Sequence, residues 1–193
     1  MSTAGWGTIV RKGFTQGIKI EPYQFSGLKS PELIAAFDIW KGWCGDQFAP
    51  TWDKVKLSEV PPTVLPLTAV VDVIDEGEDF SYRFWGTGLT DLFGCDDTGK
   101  RISEHHNPVS REIRITQLKP VLIARSPQLF LTSMEKNGSV FAKKTNLRLP
   151  VRDQAGRIEK IISMSEIERL QMSRFDNLRS YYDHSRPSEL GKK

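Results

Sequence analysis

Apolar positions recur along this chain with two different periods, and the periods change where turn residues cluster. Leu33, Ile34, Phe37 and Trp40 fall on one face of a 3.6-residue repeat. Ser30 is placed to cap that helix, Pro31 to occupy its first position and Glu32 to favour its positive end, and Gly42 marks its expected end. A loop carrying Pro50, Pro61 and Pro62 leads into a β-branched run over residues 64–74. The acidic stretch Asp75-Glu76-Gly77-Glu78-Asp79 separates it from an aromatic run over 80–85, which predicts a β-hairpin. A period of two puts Phe80, Tyr82 and Phe84 on one face of the second strand and Ser81, Arg83 and Trp85 on the other. Aromatic rings on both faces predict a strand covered from both sides.

Short helical or turn pieces follow at 89–93 and around 102–106, punctuated by Gly86, Gly88, Gly94 and Gly99. Asn107-Pro108 opens a longer helix over 109–125, with Ile113, Val121 and Leu122 among its apolar positions. Three strands are expected over 128–135, 140–149 and 158–165, with the strong hairpin signal Asn137-Gly138 between the first two. The resulting order, helix then β-β-α-α-β-β-β, predicts an α+β fold over residues 30–168. Before it, residues 1–29 are glycine-rich, with β-prone pieces at 8–12 and 18–21 that either pair or remain disordered.

At 193 residues, with 38% apolar and 26% charged positions, the chain fits one globular domain with modest extensions and excludes a disordered tail or a fibre. The net charge is +3, and residues 169–193 hold six Lys/Arg against three Asp/Glu, which is the whole excess. The body is therefore neutral, which argues against a dedicated nucleic-acid binder. Cys44 and Cys95 form no CxxC and read as free thiols. No apolar run approaches a secretion signal or a membrane span, so a soluble, cytoplasmic protein is expected.

The blocks Phe37-Asp38-Ile39-Trp40, Ala49-Pro50-Thr51-Trp52-Asp53, Tyr82-Arg83-Phe84-Trp85-Gly86-Thr87-Gly88-Leu89 and Phe93-Gly94-Cys95-Asp96-Asp97-Thr98-Gly99-Lys100 resemble a family of bacterial stand-alone PAS-like domains. The resemblance covers about residues 30–168 and rests on the "yR..GT" and "FG.D.TG" blocks. It implies a PAS-like five-stranded antiparallel sheet with short helices on one face, plus an N-terminal helix. It also implies a small interior cavity that senses a ligand, or a surface that docks a partner, with no ligand assigned. Tyr82, Phe84, Trp85 and Phe93 are then the expected ligand-binding residues, with His106 as a polar contact.

Other motifs carry less. Gly94 to Arg101 matches the first seven positions of a phosphate-binding loop, then supplies Arg101 where a metal-binding hydroxyl is required, and Asp96 and Asp97 would repel phosphate. Glu104-His105-His106 lacks the spacing of a metal site and reads as polar residues before a turn, with a single His as a haem ligand the less favoured alternative. Asp75–Asp79 lacks the alternation of a calcium loop, and Cys95 sits in a turn rather than in a flavin-binding helix. In the tail, Phe175, Leu178 and Tyr182 make a partly apolar helical face that could join two copies. The expectation is a non-catalytic sensory domain for a small molecule or a signalling protein, with homodimerisation through that tail. The rivals are an enzyme or binder of nucleotides or cyclic dinucleotides, and an interaction module with a fully packed core.

Overall fold

The computed structural model describes residues 8–10, 16–105, 107–136 and 139–169. Helix α1 (Pro31–Cys44) starts as its local chemistry dictates: Ser30 Oγ accepts a hydrogen bond from the Leu33 backbone N–H at 3.2 Å. It runs past Gly42, because Trp43 and Cys44 in its last turn are buried. Their packing offsets the ~1 kcal/mol that one glycine costs a helix. The buried stripe is Leu33, Ala36, Trp40 and Trp43, whereas Ile34 is exposed. Trp40 Nε1 donates to the Pro150 carbonyl at 3.1 Å and Trp43 Nε1 to Glu59 Oε2 at 2.9 Å, so α1 is fastened both to the sheet and to the loop after it.

The sheet is antiparallel throughout, and the fold is α+β as expected. Its strands are β1 (Thr8–Val10), β2 (Gln16–Pro22), β3 (Thr68–Ile74), β4 (Asp79–Trp85), β5 (Gln128–Lys136), β6 (Ser139–Arg152) and β7 (Ile158–Arg169). They lie in the order β1-β2-β5-β6-β7-β3-β4, so there are seven strands where five were expected. The two N-terminal pieces pair with each other, and β2 adds to β5 with Ile18 opposite Met134. Ile18 and Ile20 are buried against Phe130 and Met134, and the pairing satisfies a β5 edge that would otherwise present free N–H and C=O groups.

Helix α1 and the loop over 45–64 cover one face of the sheet, around Val70, Leu147, Leu149, Val151, Ile162 and Met164. Helices α2 (Thr87–Phe93) and α3 (Pro108–Ala124) cover the other, around Val71, Phe80, Leu118, Val121 and Ile161. Strand β4 is thus covered from both sides, but its faces differ from simple alternation. Val70 pairs with Phe84 and Val71 with Tyr82, leaving Arg83 as the extra residue of a bulge. Beyond it the parity flips. Trp85 joins Tyr82 on the α3 face, and Phe84 packs on the α1 face.

Two glycines are required here for different reasons. Gly94 ends α2 at φ 73°, with its N–H donating to the Thr90 carbonyl, a conformation other residues adopt at a cost. At Gly86 the limit is space, since a Cβ there would lie 2.3 Å from the Pro66 carbonyl oxygen. The Asn137-Gly138 turn and the 170–193 tail lie outside the described residues, although β5 and β6 pair on either side of that turn. No described helix is long and apolar enough to cross a membrane.

Candidate functional site

Strand β6 lies between β5 and β7, so neither of its edges is free over its middle, and helices α1 and α3 lie over its two faces there. Alternation sends Leu147, Leu149 and Val151 into the apolar layer under α1. The same alternation turns Lys144, Asn146 and Arg148 toward α3. Helix α3 opens on Asn107, whose Oδ1 accepts from the Ser110 backbone N–H at 3.2 Å. Its sheet-facing stripe then carries Ser110, Arg114 and Gln117 beside Ile113, Leu118 and Val121, all buried. Polar side chains from the helix and from the sheet therefore meet inside the protein.

They enclose a cavity of about 50 Å³. One wall is apolar, formed by Tyr82, Trp85, Leu89 and Phe93; the ring centroids of Tyr82 and Trp85 are 4.7 Å apart, edge to face. The other wall is a hydrogen-bonded chain. Arg148 Nη2 donates to Gln117 Oε1 at 2.7 Å, and Gln117 Nε2 donates to Thr132 Oγ1 at 3.2 Å. Asn146 Nδ2 also donates to Thr132 Oγ1, and Ser165 Oγ donates to Asn146 Oδ1.

The charges do not balance. Arg114 Nη2 donates to Asp97 Oδ2 at 3.1 Å, and the same buried carboxylate also meets Lys100 Nζ at 3.2 Å and His105 Nε2 at 3.8 Å. Among the described residues no carboxylate lies within 4.0 Å of Lys144 or Arg148. Aromatic faces supply part of what is missing: the Arg114 guanidinium carbon lies 5.4 Å from the Tyr82 ring and 5.6 Å from that of Trp85, and Lys144 Nζ lies 5.3 Å from that of Phe93. Among the described residues, four buried polar atoms belonging to residues that line the cavity have no hydrogen-bond partner: Trp85 Nε1, Arg114 Nη1, Arg148 Nε and Ser163 Oγ.

Titration follows from this crowding. Burial, reinforced by the positive charges of Arg148 and Arg114, lowers the Lys144 ammonium to about 7. Burial likewise lowers Arg148 to about 10, with Arg114 adding to the effect. The Tyr82 phenol is pushed up, mainly by burial. Both thiols are held in the protonated form: burial raises Cys44 to about 11, and burial with the Asp97 charge raises Cys95.

Of the residues expected at a ligand site, Tyr82, Trp85 and Phe93 line the cavity. Phe84 does not; the bulge at Arg83 turns it to the opposite face. His106 lies outside the described residues. The phosphate-loop-like segment forms a turn closed on itself, in which Asp96 Oδ1 accepts from the Thr98 N–H at 2.8 Å and Lys100 is ion-paired to Asp97. The Asp97 carboxylate serves as the counter-ion of Arg114. Among the described residues no group of three His, Cys, Asp or Glu side chains is placed to hold a metal. The Cys95 thiol points at Asp97 Oδ1, 3.6 Å away, and the cavity is several-fold smaller than the ~300 Å³ at which pockets for flavin-sized ligands begin.

The cationic wall is hidden in the sequence because Lys144 and Asn146 stand in a polar stretch over 143–146 and Arg148 alternates with Leu147 and Leu149, as in a strand with a wet face. The signal that could have found them is position. A strand expected between two others, with helices predicted on either side, has no wet face.

No protein-family model and no curated protein matches this chain. Among solved structures it is similar to the PAS domain of a protein from Colwellia psychrerythraea, at 14% identity and a TM-score of 0.38 over 54% of this chain and 89% of that one. It is also similar to the light-state LOV domain of the blue-light photoreceptor Aureochrome1, at 11% identity and a TM-score of 0.35 over 63% and 92% of the two chains. A third is an RNA-binding Light-Oxygen-Voltage receptor, at 15% identity and a TM-score of 0.38, matched over 86% of this chain and 41% of its own. These superpositions are loose, and none of them assigns a role to a residue of this chain.

Proposed function

We propose that this protein is a PAS-type sensory domain, without catalysis of its own, that takes a small molecule into the cavity between its sheet and helices α2 and α3. The observation that carries the reading is one cavity whose lining residues include three cations and hold four buried polar atoms without partners among the described residues. Each such group costs about 1–3 kcal/mol when desolvated and unpaired, so a bound molecule that offset part of that cost would be held favourably. A ligand that supplied the partners would bind the folded state alone and stabilise it. The same ligand would tie α3 to β6, giving occupancy a route to the outer surface of the helix.

Filling the cavity tests this. Ser163 is buried, its Oγ is unpartnered, and it faces the space from β7. The substitution Ser163→Leu replaces that orphan with apolar volume. Unfolding temperatures measured against a panel of small anionic, cationic and neutral compounds should rise for at least one class in the native protein and for none in the variant. A packed interaction module, the remaining alternative, shows no rise with any class in either protein.

A further inference from the structure

The make-up of the cavity goes further than the presence of a ligand. Three cationic side chains converge on it, Arg114 from α3 and Lys144 and Arg148 from β6, and the one neighbouring carboxylate among the described residues, Asp97, already serves Arg114, Lys100 and His105. The unpartnered atoms are mainly donors. Trp85 Nε1, Arg114 Nη1 and Arg148 Nε can only donate, so the missing partner is rich in acceptors. Burying like charges together without a counter-ion is costly, and an anion seated among them removes that cost.

Size and shape narrow the class. A buried water occupies about 10–15 Å³ by the measure that gives this cavity about 50 Å³, so the space admits a group of about four non-hydrogen atoms. A planar carboxylate matches guanidinium N–H geometry. The facing wall of Trp85, Leu89 and Phe93 offers no polar group except the indole N–H, and suits a short apolar end rather than a fourth oxygen.

We propose that the cavity is a receptor site for a small organic carboxylate, held by Arg114, Lys144 and Arg148 with its apolar end against Leu89 and Phe93. This rests on the reading of the cavity as a ligand site and adds the ligand's charge and class.

Calorimetric titration at pH 7 and constant ionic strength, with sodium acetate, sodium propionate, acetamide and inorganic phosphate as separate probes, decides it. Saturable binding of acetate or propionate is expected, with phosphate weaker and acetamide not bound. Arg148→Gln should weaken the carboxylate by roughly tenfold to a hundredfold, the loss expected for a charge-assisted hydrogen bond. Lys144→Met, at a half-buried position with no ion pair, carries the same expectation if Arg148→Gln does not fold. Arg157→Gln, on an exposed arginine paired with Asp153, should leave binding unchanged. Acetamide binding as tightly as acetate overturns the carboxylate assignment and leaves the sensory reading standing. Phosphate binding more tightly than the carboxylates overturns it in favour of an inorganic oxyanion. If no probe binds while another compound stabilises the native protein but not Ser163→Leu, the carboxylate assignment alone fails. If no probe binds and no compound acts on the native protein, both readings fail.

Discussion

Lys144 shows how a single side chain can register both folding and occupancy. Its ammonium is half-buried, facing Arg114 from α3, Arg148 on its own strand, the Tyr82 phenol from β4 and the Phe93 ring from α2. Its lowered value of about 7 lies well below that of a free lysine, so between about 7 and 10.5 the unfolded chain binds a proton there that the folded chain does not. Stability of the ligand-free protein should therefore rise with pH across that window, and the penalty should be full below it. Replacing Lys144 by Met removes this contribution. Denaturant unfolding should find Lys144→Met more stable than the native protein at pH 7, by a margin that shrinks toward pH 9.5. A margin that stays flat or widens with pH would show that the ammonium is solvated.

At the scale of elements, two glycines separate what propensity says from what packing demands. Gly86 has an ordinary extended backbone, φ −66° and ψ 149°, yet a Cβ there would meet the Pro66 and Leu65 carbonyl oxygens at 2.3 and 2.8 Å. Gly86→Ala should cost about 1–3 kcal/mol through displaced backbone. Gly42 lies in the last turn of α1, and a Cβ there would meet nothing within 4 Å. As alanine it should instead gain about 0.5–1 kcal/mol. Thermal unfolding of the two variants checks both signs. The same contrast explains what could be read in advance. The cap at Ser30, the helix start at Asn107-Pro108, the acidic hairpin and the succession of elements over residues 30–168 were legible, because each rests on neighbours in sequence. The run of α1 beyond Gly42, the flip of Phe84 and Trp85 across the bulge, and the docking of β2 on β5 were not, because burial by distant segments decides them. In the site the aromatic wall was legible from Tyr82, Trp85 and Phe93. The cationic wall was hidden, because a polar face on a doubly covered strand looks locally like a solvent face.

Over the whole molecule, one sheet divides an interior that is apolar under α1 from one that is partly ionic under α2 and α3. The first layer holds the fold together. The second gives up stability by keeping buried cations and unpaired donors, a pattern expected where binding rather than packing shaped the core. On the reading proposed above that layer takes up a small anion, and the indole N–H groups report on it. Trp40 and Trp43 already donate to Pro150 and Glu59, while Trp85 donates to nothing among the described residues. Two-dimensional 1H–15N spectra recorded during a titration with sodium acetate should show the Trp85 indole resonance moving saturably downfield, with those of Trp40 and Trp43 stationary. A Trp85 resonance that stays in place while the protein remains folded would contradict an anion site in this cavity.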